Sequence, residues 1–544
     1  MPAVAPFLIQ RMNNAGVNHV FGVPGDYLLN FYKKLEDFDG IDLISCTDEN
    51  HAGFAADAYS RVAGIGCVAV TYNVGALKIA NAVACAYAER SPLVIISGSP
   101  GLKEREEGIL LHHMVRSFDC QREVFENITC ASAVLDNPNR AGYEIDRVFE
   151  ALNFYKQPIY IELPRDVAER PISYDAYKQG TPVSPQSDPD NLDEAIAEVE
   201  EWIKSSESPV ILAGVQLARF GLGNELVKFA ERLKIPITTT LLSKSVVDES
   251  HSLFRGVYSG SASQEPVRNL VENSDCLLMF GALLTDMTTN FKPSKFEKRQ
   301  TVSCSIEGLK VKNHSYEDVQ FVDFCDRLFN TKLQGVAVSA DAPKKKPKQW
   351  DLNKGEVITS ARLFEKIDSI LDDSMAIVAD IGDSLFGASD LLVHSKNHFL
   401  SPAFYTSMGF AIPGALGVQT AKPDVRPIVL VGDGAFQMSC TELSTIVRRG
   451  LNPIVFVLDN KGYLTERFLL EGDYNNVANW DYHEIPKMIG GGIGVCVNTE
   501  GELEEAVDNA LANKELNIIS VSLAQNDASP GLERLIEGLA KKIK

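Results

Sequence analysis

Three doubly wound α/β domains with mainly parallel sheets are the fold this sequence predicts, and three observations predict it. Short apolar runs recur between helix-length stretches, the alternation that builds a parallel sheet covered on both faces. Several runs end in glycine-bearing turns, as strands do where they open onto a ligand-binding edge. A chain of 544 residues is also too long for a single growing core.

The first domain is expected over residues 1–180. It opens with a helix (Phe7 to Asn14) and a short strand from His19 that ends in Gly-Val-Pro-Gly before Asp26. Apolar runs follow at Ile41–Ser45, Gly66–Thr71, Leu93–Ser97 and Gln157–Glu162. Between them lie helix-like stretches, Gly53–Val62 and Gly75–Glu89, rich in alanine and able to pack closely on a sheet. A Pro/Asp/Ser-rich boundary, Thr181 to Asp190, then leads to a second doubly wound domain over 190–340. There the strands Pro209–Ala213 and Asp275–Phe280 alternate with helices ending near Trp202 and spanning Asn224–Leu233. Gly214 and Gly281 follow strands, but no GxGxxG pattern accompanies them, so both read as tight turns. The basic, proline-bearing stretch Asp341–Trp350 reads as a solvated linker.

The third domain, 355–544, holds the densest chemistry. After the helix Ser360–Leu371 come a strand, Met375–Ala379, and a turn containing Asp383 and Ser384. Farther on, a buried strand ends in Gly432-Asp433-Gly434, a helix is expected from Thr441 to Arg449, and a second strand, Pro453–Leu458, ends in Asp459-Asn460-Lys461-Gly462. In a parallel sheet both strand ends face the same edge, so Asp433 and the Asn460 amide oxygen can converge on one small cation. Hard oxygen ligands beside a glycine-flanked turn suit Mg2+ held together with phosphates. Gly432 and Gly434 let the backbone approach a diphosphate.

Composition excludes several functions. Lys and Arg number 52 against 73 Asp and Glu, a net charge of −21, which argues against nucleic acid or anionic membrane as a main partner. Ten scattered cysteines without a CxxC pair fit buried thiols in a reducing compartment. The N-terminus lacks a basic segment followed by a long apolar core, and no apolar run reaches membrane-spanning length. A cytoplasmic protein is the expectation.

Two further groups need both a structural and a chemical reading. Glu49, just after the strand Ile41–Ser45, could serve as a helix cap or as an acid. His112 and His113 are adjacent, and neighbours on a regular element usually face different ways; as a metal pair they lack a third ligand at useful spacing.

Gly432-Asp433-Gly434, an intervening segment and Asn460 together resemble the metal and diphosphate signature of thiamine diphosphate enzymes. Asp26 after the first strand, with the His112–His113 pair, resembles the 2-oxo acid decarboxylase branch of that family. The resemblance covers essentially the whole chain, in the expected order. It implies the thiamine diphosphate-enzyme fold, with a pyrimidine-binding first domain, a Rossmann-like central domain and a diphosphate-binding third. It implies that Glu49 hydrogen-bonds to N1′ of the cofactor's pyrimidine and favours its imino tautomer, a role that burial of the carboxyl group would assist. Met408, in Tyr405-Thr-Ser-Met-Gly-Phe410, matches the residue that wedges between the cofactor's two rings, and the Thr406 carbonyl matches the partner of the pyrimidine amino group. Asp383, Ser384, Gly432, Gly434 and Ala435 would lie near the diphosphate, and Asp433, Asn460 and the Gly462 carbonyl would hold Mg2+.

Glu466 matches a second catalytic carboxylate, which would share the later proton transfers with Asp26, His112 and His113. The implied reaction converts a 2-oxo acid to an aldehyde and CO2. Leu385, Thr465 and Leu469 would shape the substrate pocket; Leu385 stands where relatives restricted to pyruvate carry a bulkier aromatic residue, so branched or aromatic 2-oxo acids such as phenylpyruvate and indolepyruvate are expected, with overlap onto pyruvate. The resemblance also implies a homodimer at minimum, and homotetramers are common among relatives. Two alternatives remain: a carboligase of the acetolactate synthase kind, and a catalytically inactive structural relative.

Overall fold

The computed structural model describes residues 2–172, 185–290, 300–334 and 349–543. Most of the expected linker at 341–350, and residues 181–184 of the expected boundary at 181–190, lie outside the described residues.

Six strands make the first sheet: β1 (His19–Gly22), β2 (Asp42–Ser45), β3 (Gly66–Val70), β4 (Leu93–Ser99), β5 (Ala131–Val134) and β6 (Ile159–Pro164), ordered β2-β1-β3-β4-β6-β5. Every pairing is parallel. Parallel strands joined by crossover helices are covered on both faces, which is why β3 and β4 are buried along their whole length. The helix behind β2 begins at Glu49, earlier than the expected Gly53, because Asp48 caps it: its side chain accepts the Asn50 N–H at 2.8 Å. This sheet belongs to a unit formed by residues 1–184, 412–424 and 439–451. Within that unit Gly417 lies where a Cβ would stand 2.1 Å from the Ala55 carbonyl oxygen, so the 411–421 helix packs almost backbone to backbone on its neighbour.

The other two sheets share a second unit. The central one contains β7 (Pro209–Ala213), β8 (Ile237–Thr240), β9 (Phe254–Tyr258), β10 (Cys276–Phe280), β11 (Thr301–Ser305), β12 (Gly308–Val311) and β13 (His314–Tyr316), ordered β13-β12-β11-β10-β7-β8-β9. It is parallel except at β12 and β13, an antiparallel edge. The last sheet contains β14 (Met375–Ala379), β15 (Phe399–Leu400), β16 (Arg426–Gly432), β17 (Ile454–Asp459), β18 (Ile493–Val497) and β19 (Asn517–Ser522), ordered β15-β14-β16-β17-β19-β18 and parallel throughout.

In that last sheet Ile428, Leu430, Ile454 and Phe456 are fully buried in a core shared with Leu363, Phe364 and Leu385. Burying each such side chain contributes about 1.5–3 kcal/mol. A helix, Asp433–Ser439, starts directly at the Gly-Asp-Gly, where sequence suggested a turn and a later helix. The expected helix from Thr441 is a short 3-10 turn, Cys440–Glu442, followed by Leu443–Arg448. Among the described residues no helix is long and apolar enough to cross a membrane.

Candidate active site

Strand register assembles the first part of the site. Gly432 pairs with Leu458 and Ala379 with Leu430, so the residues following β14, β16 and β17 emerge side by side at one carboxyl edge. They line a cavity of about 290 Å³ whose wall includes Asp383, Ser384, Met408, Gly432, Asp433, Gly434, Ala435, Asn460, Gly462, Thr465 and Glu466. Ile381, Leu458, Tyr463 and Leu464 complete that wall.

Asp433 is 1% exposed. Its carboxylate accepts the N–H of Gly434 at 2.7 Å and of Gly462 at 3.0 Å. Burial, reinforced by the nearby Asp459, nevertheless pushes the Asp433 carboxyl up to about 6, the behaviour of a buried negative charge that a cation would relieve. Lys461 does not supply that cation here; its Nζ lies 2.5 Å from Asp459 Oδ2. Gly462 adopts φ 152, and a Cβ there would stand 2.1 Å from the Asn475 carbonyl oxygen. Only glycine lets the chain turn at this point with its carbonyl beside the site. Gly432 has open space where a Cβ would project.

The hydroxyl of Ser384 is buried without a hydrogen-bond partner among the described residues, and the residue lines the cavity. Asp383, by contrast, turns its carboxylate to Ser360 Oγ and the Ser529 N–H. Its contribution to a phosphate would therefore come from the backbone.

The loop carrying Thr406 and Met408 is tethered by a residue that sequence reasoning passed over. Asp380, fully buried, accepts N–H bonds from Ile381 (2.9 Å), Gly409 (3.1 Å) and Ala411 (2.9 Å). Desolvation still pushes its carboxyl up to about 6. Thr406 itself sits at φ 58, a left-handed conformation costly for a β-branched residue, with its N–H held by the Pro402 carbonyl. A carboxylate directly after a strand, in Asp380-Ile-Gly-Asp383, was the only available signal for the tether.

Leu385 does not line the cavity; it is fully buried in the core on which Ile381 packs. Leu469 is half-buried and also lies off the wall. Of the three pocket residues expected from sequence, Thr465 alone reaches it.

The first unit holds a second group. His112 Nε2 lies 2.8 Å from Asp26 Oδ2 and His113 Nε2 3.7 Å from Asp26 Oδ1, with the two imidazoles edge to face at 4.7 Å. Adjacent histidines were expected to diverge. They converge because they lie in a turn rather than a regular element, with His113 in the left-handed region at φ 65. Tyr27 stacks on His112 and places its hydroxyl 3.3 Å from His112 Nδ1. With Nε2–H directed at Asp26, Nδ1 is left to accept from that hydroxyl. Burial first, then Asp26, raises the Tyr27 phenol, so it stays a donor. Arg165 lies over the Tyr27 ring and 3.8 Å from Asp26 Oδ2. Although Asp26, His112 and His113 bring ligating atoms within 4.8 Å of one another, this arginine makes the spot unfavourable for a cation.

Glu49 is the first residue of its helix, not the cap. Its side chain is 14% exposed, and its Oε2 lies 2.8 Å from Lys78 Nζ.

Comparison with known proteins identifies the family of the chain. Three family models match: the thiamine pyrophosphate enzyme N-terminal TPP-binding domain over residues 3–122, the central domain over 196–330 and the C-terminal TPP-binding domain over 380–521. An indole-3-pyruvate decarboxylase of Azospirillum brasilense is 34% identical, with 98% of each chain covered. The chain belongs to the thiamine diphosphate-dependent 2-oxo acid decarboxylase family. An alpha-keto-acid decarboxylase of Mycobacterium tuberculosis is 31% identical over 99% of this chain and 97% of its own. A probable pyruvate decarboxylase of Schizosaccharomyces pombe is 30% identical over 94% of this chain and 92% of its own. Members of this family are carbon–carbon lyases that use thiamine diphosphate, and the three-domain fold described above is theirs.

Proposed function

We propose that this decarboxylase acts on branched-chain or aromatic 2-oxo acids, with overlap onto pyruvate, and that it uses Mg2+ to hold the cofactor's diphosphate. The observation carrying the proposal is the cavity at the carboxyl edge of β14, β16 and β17. It combines a buried, uncompensated Asp433 carboxylate, an unpartnered Ser384 hydroxyl and open space at Gly432, a donor set that fits a divalent cation and a diphosphate. Asp433, Asn460 and the Gly462 carbonyl would hold Mg2+; Gly432, Gly434, Ala435, Ser384 and the Asp383 backbone would line the diphosphate. Thr406 and Met408 would orient the rings, a positioning effect.

When bound, thiamine diphosphate supplies the electron sink that lets the substrate carboxyl group leave as CO2. The chain's own work is binding and proton movement. Glu49 would hold a proton at pyrimidine N1′. His112, oriented between Asp26 and Tyr27, would exchange a proton at Nε2, with His113 beside it. Glu466, on the cavity wall, is the second carboxyl group able to deliver one. The wall formed by Ile381, Met408, Leu458 and Leu464 is apolar, and the Azospirillum relative's name supports an aromatic substrate. Leu385 would act on pocket size from beneath this wall.

At least a homodimer, commonly a homotetramer in this family, and domain boundaries near 180, 190–340 and 355 belong to the same reading. A cytoplasmic location is supported by ten cysteines that are all free.

The test is aldehyde release by apoprotein reconstituted with thiamine diphosphate and Mg2+, across pyruvate, branched-chain, phenyl- and indolepyruvate. We expect release that needs both additions, favours the larger acids and collapses in Glu49→Gln. Carbon–carbon ligation products without aldehyde would replace this reading with a carboligase.

A further inference from the structure

Beside Glu49 the chain places a positive charge that the reaction described above does not use. Lys78 lies in the 3-10 turn Leu77–Ile79, which leads into the helix Ala80–Ala88. Its ammonium reaches two carboxylates at once, hydrogen-bonding Asp48 Oδ2 and approaching Glu49 Oε2 at 2.8 Å. The two acids differ in what else they do. Asp48 is the helix cap, its other oxygen accepting the Asn50 N–H. Glu49 is more enclosed, 14% exposed against 28% for Asp48.

We propose that Lys78 is a two-seat latch on Glu49: it holds the carboxylate when the cofactor is absent and withdraws wholly to Asp48 when the cofactor's pyrimidine takes Glu49. The inference rests on the reading of Glu49 as the pyrimidine's partner. Lys78 is therefore a positioning residue rather than a catalytic one.

The physical basis is competition for one group. An ammonium at hydrogen-bond distance occupies Glu49 Oε2 with a charge-assisted bond. A neutral ring nitrogen must displace it before it can share a proton with the same carboxyl group. The Lys78 side chain is half-exposed and flexible, so it can leave without unfolding anything, and Asp48 offers a second carboxylate within reach. The ammonium is held in both seats: the hydrogen bonds it donates to Asp48 and then to Glu49 raise the Lys78 pKa, so it does not leave by losing its proton. Burial works to raise the Asp48 pKa, yet the hydrogen bonds from Lys78 and from the Asn50 amide bring it below the usual range, so the second seat stays anionic. The other ionisable groups near the pair are His51, on the same helix, and Tyr32, whose phenol burial raises far out of range. The His51 ring is directed away from the pair, its Nδ1 3.3 Å from Glu442 Oε2.

The two seats make opposite predictions, which a merely structural role cannot. Thiamine diphosphate affinity of the apoprotein, at saturating Mg2+, is measured by titration calorimetry, with no turnover involved. Lys78→Met should tighten binding about fivefold, the scale of an ion pair with one partner half-exposed. Asp48→Asn keeps the cap but removes the second seat, and should weaken binding by a similar factor. In a Glu49→Gln background, Lys78→Met should have no effect. Lys78→Gln, which keeps a polar tip, should behave as Met does and guards against a variant that misfolds. Weaker or unchanged binding in both Lys78 variants, or a Lys78→Met effect that persists without Glu49, overturns the latch and leaves the decarboxylase reading standing. A wild-type protein that binds no thiamine diphosphate overturns both.

Discussion

Replacing Asp380 by asparagine separates the charge of the tether beneath the Thr406–Met408 loop from its shape. The carboxyl group is pushed up to about 6 by burial, against about 3.9 in an unfolded chain. The native protein therefore holds this proton more tightly than the unfolded chain does. Stability from this group is fully present below about pH 4 and is lost as pH rises through about 6; the two-unit gap corresponds to about 3 kcal/mol of cost at pH 7.

Asparagine removes that cost but turns an amide NH2 towards backbone donors. If the amide oxygen keeps Ile381 and Gly409, the Ala411 N–H loses its acceptor, at about 1–3 kcal/mol for a buried donor. At pH 7 the two effects largely cancel in global stability, while the loop loses its tether. Lowering the pH to 5 relieves the wild type of about 1 kcal/mol of this cost, a contribution the variant lacks. Paired denaturant unfolding at pH 7 and pH 5 reads the difference, and amide exchange of the 405–411 segment reads the loop. A wild-type-minus-variant difference that stays constant between the two pH values, or unaltered exchange of 405–411, would refute the reasoning.

Gly432→Ala should leave the apoprotein's thermal stability within about 0.5 kcal/mol of wild type, since nothing lies within 4 Å of the new methyl. If Gly432 lines the diphosphate as proposed, thiamine diphosphate affinity should fall at least about tenfold, about 1.4 kcal/mol, as the methyl crowds it, an outcome that calorimetry with Mg2+ checks. Lys244→Met should destabilise the chain by about 3–5 kcal/mol in unfolding experiments. It strips the ammonium from the fully buried Glu249 carboxylate, 2.6 Å away, and from the Leu391 carbonyl. Adding Glu249→Leu should restore much of the loss.

What could be read in advance follows from which physical information is local. Strand–helix alternation is written into hydrophobic period, and the three parallel sheets followed from it. Gly432-Asp433-Gly434 and Asn460 could be paired because a parallel register carries two strand ends to one edge, and the observed pairing of Gly432 with Leu458 does this. The helix expected from Gly53 starts at Glu49 because the Asp48 side chain caps it.

The sequence by itself determined the fold class, the family and the chemical character of the groups at the strand ends, because those depend on residue type, spacing and order. Only the tertiary structure decided what each group faces. The His112–His113 pair converges on Asp26 through one left-handed residue in a turn. Leu385 lies in the core and not on the cavity wall, because the direction of a side chain depends on how its helix packs. Asp380 as a tether, Tyr27 on His112, Arg165 beside Asp26, and Lys78 on Glu49 are contacts between segments distant in the chain. Their energies come from burial and long-range proximity, which no window of neighbouring residues encodes.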